Sequence, residues 1–156
     1  MGLEQIGAKI ISCAIQVHRT LGPGLLESSY EASLKWELEQ AGLSVRSQVG
    51  LPLVYGEVQL DVGYRIDLLV EGQIIIELKA VESINPVHLA QILTYLKLNN
   101  SKLGYLMNFN VTLMKHGIRR VVHDYWNHEE HKDFRKGTKK SSWPWRIPRD
   151  LRGKNG

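Results

Sequence analysis

The sequence has few of the residues that stabilise small disulfide-bonded or zinc-binding domains. Cys13 is the one cysteine among 156 residues, so neither an internal disulfide nor a Cys cluster for zinc can form. It lies among apolar residues at helical spacing, which predicts a small core residue. No apolar run approaches the roughly 18 residues of a membrane span, and Glu4 and Lys9 interrupt any signal-like segment. We therefore expect a cytoplasmic protein with no membrane partner.

Most of the chain has no excess of positive or negative charge. From Asn127 onward there are nine Lys and Arg against four Asp and Glu, a net charge of +5. The preceding residues carry 11 against 12, a net charge of −1. We expect a single domain over residues 1–126 and a basic, flexible tail over residues 127–156. This distribution neither establishes nor excludes a nucleic-acid partner.

Amphipathic periodicity and helix-boundary residues predict three helices. These are Ile6–Leu21, Leu25–Ala41 and a helix that begins after Asn85. Gly22-Pro23-Gly24 cannot continue the first helix, and Gly42 is typical of a left-handed stop after the second. Asn85 is a suitable cap for the third helix, and Pro86 fits its first turn, where a backbone N–H is not needed.

Alternating apolar residues predict strands in the remaining segments. The predicted strands are Ser44–Val49, Leu51–Tyr55, Val58–Val70, Gln73–Val81, Leu103–Phe109 and Gly117–Val122. Gly50 separates the first two. In Val58–Val70 the even-numbered residues are expected on one side and the odd-numbered residues on the other. In Gln73–Val81 the same rule places Glu77 and Lys79 on one face with Ile75, opposite Ile74, Ile76 and Leu78.

The turn at Glu71-Gly72 decides which side chains face each other across the two longest apolar segments. A two-residue turn sets Asp67 opposite Ile76 and sends Glu77 to the other face. A three-residue turn or a bulge changes the register by one position. We predict this second register, although the dipeptide alone favours the shorter turn, because it gives two facing pairs: Asp67 with Glu77 and Arg65 with Lys79.

Carboxylates on adjacent strands are ligands that Mg²⁺ prefers, usually together with waters and a substrate phosphate. Asp67 and Glu77 supply two, and Glu27 is a third candidate from the second helix. Lys79 would lie beside the bound water, where it could orient or deprotonate the nucleophile and offset phosphate charge. Gln91 and Tyr95, one helical turn apart, could hold Lys79, the water or a phosphate oxygen by hydrogen bonds.

Three of these side chains, Glu27, Glu77 and Lys79, also have simpler interpretations. Glu27 is either a half-exposed first-turn glutamate favoured by the helix dipole or a carboxylate that points into a polar site at the end of the core. A Glu and a Lys two positions apart on a strand usually form a solvated face. The apolar residues around Glu77 and Lys79 instead indicate a buried strand, where charges need a metal or each other.

Taken together, these motifs resemble those of the GxxExxY protein family, a branch of the PD-(D/E)XK nuclease-like superfamily. The resemblance covers roughly residues 5–122 and rests on a combined pattern, which is Gly22-x-Gly24-x-x-Glu27-x-x-Tyr30, Asp67, Glu77-x-Lys79 and Gln91-x-x-x-Tyr95. It implies an α/β (α+β) core in which helices flank a central mixed sheet. Ile66 precedes Asp67 where the superfamily name has proline, at a position that varies.

The resemblance also implies roles for individual residues. Asp67 and Glu77 would bind Mg²⁺ or Mn²⁺ and activate water, Lys79 would be the catalytic lysine, and Glu27 would complete the metal ligands. Gln91 and Tyr95 match the Gln-x-x-x-Tyr element of RecB-like nucleases. The function implied is a metal-dependent nuclease that hydrolyses phosphodiester bonds, with DNA favoured over RNA.

A second function from another class remains open. The domain could be a non-catalytic module that binds nucleic acid or a protein partner, with Trp143 and Trp145 of the tail as a contact. The complete set of charged residues argues against this alternative, because a binding domain has no need for a costly charged cluster. Under either function the candidate phosphate contacts are basic side chains: Lys97, Lys102, Lys115, Arg119 and Arg120.

Overall fold

A computed structural model describes residues 1–123, so the predicted tail of residues 127–156 lies outside the described residues. The helices are α1 (Leu3–Leu21), α2 (Glu27–Gln40) and α3 (Pro86–Leu98). The strands are β1 (Val45–Tyr55), β2 (Val58–Val70), β3 (Ile74–Lys79), β4 (Leu103–Asn108) and β5 (Ile118–Val122). A short 3₁₀ helix, Met114–His116, precedes β5. Within these residues no helix is both long and apolar enough to cross a membrane.

The five strands form one mixed sheet whose spatial order follows the sequence, β1-β2-β3-β4-β5. The pairs β1–β2, β2–β3 and β4–β5 are antiparallel, and β3–β4 is parallel. The parallel pair requires a crossover, and α3 provides it. The predicted fold class, an α+β core with helices around a mixed sheet, is confirmed.

Helices cover both faces of the sheet. On one face α1 and α2 pack on side chains of all the central strands, and Cys13 of α1 is buried there as predicted. On the other face α3 packs through Ile92, Tyr95 and Leu96. β3 lies between the two layers, and its residues Ile74–Leu78 are all buried. A charged side chain on this strand is therefore removed from water.

The boundaries of the helices follow their local signals. Asn85 caps α3, because its Oδ1 accepts the N–H groups of Val87 and His88, as predicted from the sequence. Gly42 has φ 87° and follows α2, in agreement with the predicted left-handed stop. The second helix begins at Glu27 and not near Leu25, because hydrogen bonds between the Tyr30 hydroxyl and the backbone of Gly22 and Leu25 hold the preceding residues in a loop.

Two predictions about β1 and β2 were wrong. The two strands predicted on either side of Gly50 are one strand, because β2 is long enough to pair with both and Gly50 lies opposite Arg65. The uniform alternation expected along β2 also fails. Residues 58–65 are exposed on a hairpin arm with β1, and Ile66 and Leu68 lie in the cores on opposite faces of the sheet. The alternation is interrupted between them, at Asp67.

The register of β2 and β3 is the predicted one. Val70 lies opposite Ile74 and Leu68 opposite Ile76, so the turn contains three residues. Glu71 and Gly72 in that turn both have positive φ, 54° and 65°. The ladder ends at Leu68, and the expected pairing of Arg65 with Lys79 is not part of it.

Candidate active site

The candidate site lies where β2 separates from β3. The next positions after the Leu68–Ile76 pair are Asp67 and Glu77, and side chains there replace ladder hydrogen bonds. The backbone N–H of Asp67 donates to Glu77 Oε1 at 3.1 Å, and the N–H of Leu78 donates to Asp67 Oδ2 at 2.9 Å. Each carboxylate thus bonds the opposite strand, which brings the two acids together in the gap.

Burial and mutual repulsion alter the proton affinity of both acids. Glu77 is only 3% exposed, and burial, followed by the nearby charge of Asp67, raises its pKa to about 8. Burial also raises the pKa of Asp67, an effect that the Leu78 N–H, Gln48 and Lys79 oppose. The pair therefore retains a proton near neutral pH unless another cation takes its place.

Lys79 is held on the α3 side of these acids. Its Nζ donates to Gln91 Oε1 at 3.4 Å, and Gln91 Nε2 donates to Tyr95 Oη at 3.0 Å. Burial and then the charge of Glu77 raise the pKa of the Tyr95 hydroxyl, so it remains protonated. The Tyr95 ring also packs against Tyr64 of β2, with ring centroids 6.2 Å apart. The structure thus joins the predicted Lys79, Gln91 and Tyr95 in one chain of contacts.

Glu27 reaches the site from the first residue of α2. Its Oε2 accepts the N–H of Ala80, the residue after β3, at 3.1 Å. Glu27 is exposed and its carboxylate bonds the end of β3, so it combines features of the two interpretations made from the sequence. Glu27 is the first residue of α2, and the partial positive charge at the start of a helix favours a carboxylate there.

Tyr30 explains the spacing of glycines and Glu27 in the sequence. Its hydroxyl donates to Gly22 O at 2.6 Å and accepts the N–H of Leu25 at 3.1 Å. Gly22 and Gly24 have φ of 70° and 99°, which L side chains rarely adopt. The ring itself is buried and stacks on Phe109 with centroids 4.6 Å apart. This loop therefore sets where α2 begins.

Three polar residues near the site were missed in the sequence. Glu31 and Gln48 lie beside Asp67, and Gln48 Nε2 donates to Glu31 Oε1 at 2.8 Å and to Asp67 Oδ1 at 3.4 Å. Burial, followed by the charge of Asp67, raises the pKa of Glu31. Its position one turn after Glu27 was an available signal, whereas nothing local identifies Gln48.

The third missed residue is Asn108, buried at the end of β4. Its Oδ1 accepts the Val81 N–H at 3.1 Å, and its Nδ2 donates to Val81 O at 2.9 Å. A buried polar residue at a strand end could have been noticed as a candidate. Together with Glu27 it fixes the chain immediately after Lys79.

The donor set suits a hard divalent cation through two carboxylates. Mg²⁺ is commonly held by one or two carboxylates together with waters and phosphate, and Asp67 and Glu77 form such a pair with raised pKa values. Across residues 1–123, however, no three His, Cys, Asp or Glu side chains are grouped closely enough to hold a metal ion. In this arrangement Glu27 is not grouped with Asp67 and Glu77, and its role as a third metal ligand stays a prediction.

The predicted phosphate contacts lie in several different elements of the fold. Lys97 lies in α3, and Lys102 and Lys115 lie in the segments that precede β4 and β5. Arg119 and Arg120 are successive residues of β5, so they point to opposite faces. Arg120 forms an exposed ion pair with Glu4 at 2.6 Å. Within residues 1–123 no hydrogen bond links Lys102, Lys115, Arg119 or Arg120 to the site.

Comparison with known proteins agrees with this architecture. A family model described as the PD-(D/E)XK nuclease superfamily matches residues 4–121, which include every strand position of the candidate site. No curated protein matches the chain. Because the match covers well over half of the sequence and the fold is the mixed sheet that the resemblance implied, the chain belongs to the PD-(D/E)XK nuclease superfamily.

Proposed function

We propose that this protein is a metal-dependent nuclease that hydrolyses phosphodiester bonds of nucleic acid, with DNA favoured over RNA. The observation that carries the proposal is the pair of buried Glu77 and half-buried Asp67 beside Lys79 at the end of β3. Two neighbouring acids with raised pKa values, one of them fully buried, are costly to place inside a sheet, and a role in catalysis accounts for them. The finer likeness to the GxxExxY branch is part of the proposal and is supported by the loop that Tyr30 holds.

Asp67 and Glu77 would hold Mg²⁺ or Mn²⁺ by their carboxylate oxygens. When bound, such a cation polarises phosphoryl oxygens and lowers the pKa of its water. Glu27 would remain at the Ala80 N–H and add negative charge near the bound group. Because Asp67 and Glu77 share a proton near neutral pH, cation binding would release that proton.

Lys79 would orient the attacking water and offset the charge that develops on the phosphate. Gln91 accepts the hydrogen bond of the Lys79 ammonium group and restricts its position, and Tyr95 in turn holds Gln91. Preorganisation of this kind reduces the reorganisation needed during reaction. The basic residues Lys97, Lys102, Lys115, Arg119 and Arg120 are proposed as secondary contacts to the phosphate backbone.

The experiment compares Lys79→Ala with Arg19→Ala, a control at an exposed basic residue of α1 that is not among the proposed phosphate contacts. Supercoiled plasmid, single-stranded DNA and RNA are incubated with each protein and Mg²⁺, and cleavage rates are measured. We expect Lys79→Ala to lower the rate by about 100-fold or more and Arg19→Ala to leave it nearly unchanged. Circular dichroism should give the same spectrum for all three proteins.

Cleavage that survives both Lys79→Ala and chelation of metal would refute this function. A wild-type protein that binds nucleic acid with the same affinity with and without Mg²⁺, and never cuts it, would instead support a non-catalytic binding module. The net charge of −1 before Asn127 is the observation that favours that alternative.

A further inference from the structure

Gln48 has an unusual backbone conformation inside β1. Its φ is 52°, a left-handed value that is uncommon for residues other than glycine. Among residues 1–123, the other non-glycine residues with positive φ are Glu71 and Asn100, and both lie in turns between elements. Gln48 instead lies between two paired positions, since Ser47 is opposite Leu68 and Val49 is opposite Ile66. Such outliers within regular structure often mark functional positions.

The interruption occurs where β1 passes Asp67. The ladder skips Gln48 and Asp67 although it pairs the residues on either side of them. This is also where the alternation of β2 breaks and the carboxylate of Asp67 enters the gap beside β3. The irregularities in β1 and β2 are therefore at the same level of the sheet.

The side chain of Gln48 uses this position to contact two acids. Its single Nε2 donates to Glu31 Oε1 at 2.8 Å and to Asp67 Oδ1 at 3.4 Å, one hydrogen for each carboxylate. Neutral donors between two like charges offset their repulsion without adding a competing positive charge. Because Glu31 lies on α2 one turn after Glu27, the same bridge links α2 to Asp67.

We propose that Gln48 is a positioning residue that fixes Asp67 relative to the start of α2. The inference rests on the proposed function for its catalytic meaning, because Asp67 is a proposed metal ligand. Gln48 then holds Asp67 from the β1 side, as Gln91 holds Lys79 from the α3 side. Asp67 is thereby held at both oxygens, Oδ1 by Gln48 and Oδ2 by the Leu78 N–H.

The first measurement uses the metal-free protein and does not depend on cleavage. Gln48→Gly removes the side chain that bonds Glu31 and Asp67, and glycine adopts positive φ without strain. The variant therefore tests the side-chain hydrogen bonds without changing the backbone conformation. Gln48→Gly, Asp67→Ala and the double variant are unfolded in urea with a chelator present. A direct contact should give a coupling of about 2-fold or more in the unfolding equilibrium constant. Additive effects would overturn the inference.

The second measurement is the affinity for Mn²⁺ in the full chain. Residues that orient metal ligands typically change affinity by about 10- to 100-fold when removed, and we expect weakening in this range for Gln48→Gly and Gln48→Asn. Asn tolerates positive φ but is one methylene too short to span both acids. Gln59→Gly, at an exposed glutamine of the hairpin arm, is the matched control and should bind as wild type does.

The two measurements separate this inference from the proposed function. If wild type binds Mn²⁺ and the folded Gln48→Gly variant binds it equally well, Gln48 does not position Asp67 and the inference is wrong. If wild type gives no Mn²⁺ binding, the proposed function fails. The double-mutant comparison by urea unfolding then decides the positioning role alone. Coupling between Gln48 and Asp67 then supports that role, and additivity overturns it.

Discussion

At the residue scale, the unusual feature is a pair of acids held inside a sheet by backbone N–H groups. Asp67 and Glu77 each accept a hydrogen bond from the opposite strand, but burial still disfavours two negative charges at this position. The site is therefore less favourable with both acids ionised than with one of them protonated. This imbalance gives a pH dependence that can be measured.

The pKa of Glu77 is about 8 in the folded protein and has an ordinary value of 4.5. Between these values the folded protein retains a proton that the unfolded chain has released. The free energy of unfolding of the metal-free protein therefore falls as pH rises from about 4.5 to about 8. Stability that is present at low pH is lost as pH passes through the folded pKa.

Glu77→Gln should remove most of this dependence, because its amide oxygen can still accept the Asp67 N–H while carrying no charge. We expect the variant to be about 1–3 kcal/mol more stable than wild type at pH 8 and nearly equal to it at pH 5. Urea titrations with a chelator at both pH values measure the difference. Parallel losses of stability with pH in the two proteins would contradict this origin of the dependence.

At the element scale, the loop before α2 determines where Glu27 lies. Tyr30 bonds both sides of this loop from a fully buried position, so its hydroxyl has no access to water as a substitute. The length of the loop and the start of α2 then fix the distance from Glu27 to the end of β3.

Tyr30→Phe should lower the free energy of unfolding by about 1–2 kcal/mol, because the Gly22 carbonyl and the Leu25 N–H lose a part-buried partner. Cleavage should also slow, since the first turn of α2 is less restrained. Urea unfolding and plasmid cleavage measure the two effects. Tyr64→Phe, at a tyrosine that is 39% exposed, is the control and should change stability by less than about 0.5 kcal/mol. Equal effects of the two substitutions would exclude the proposed role of Tyr30.

The elements differ in how far local sequence could predict them. The cap of α3 and the stop after α2 were predicted because Asn85, Pro86 and Gly42 act on their own neighbours. The register of β2 and β3 was predicted only from the chemistry of Asp67 and Glu77, against the local turn signal. Turn propensity alone would have given the wrong face for Glu77.

Other features depend on contacts between distant segments, and no local pattern predicts them. The continuous strand β1 forms because β2 offers a partner along its length, so Gly50 does not end it. The positive φ of Gln48 and its bridge to Glu31 and Asp67 require three segments to meet. The candidate site was thus predictable in its motif residues but not in the residues that hold them.

At the scale of the whole molecule, the excess positive charge and the candidate site residues are separated along the chain. The family match covers residues 4–121, whereas the excess of positive charge begins at Asn127. We propose that residues 1–126 form the nuclease domain and that the basic segment of residues 127–156 adds affinity for nucleic acid without contributing to the chemistry.

A chain that ends at residue 126 should retain the proposed cleavage activity but bind DNA more weakly at low salt. Removing the segment removes a net charge of +5, so the logarithm of the binding constant should fall less steeply with the logarithm of salt concentration. Fluorescence anisotropy of a labelled duplex at several salt concentrations measures both slopes. An unchanged slope would show that this segment does not contact the phosphate backbone.

The central claim is that Asp67 and Glu77 together bind a divalent cation. Isothermal titration calorimetry of Mn²⁺ into the full chain tests it directly, with Asp67→Asn as the variant and Lys102→Ala as the control. We predict saturable heat for wild type and Lys102→Ala and its loss in Asp67→Asn, because an amide is a much weaker ligand than a carboxylate. No heat from wild type at metal concentrations on the order of millimolar, with or without DNA, would contradict the claim.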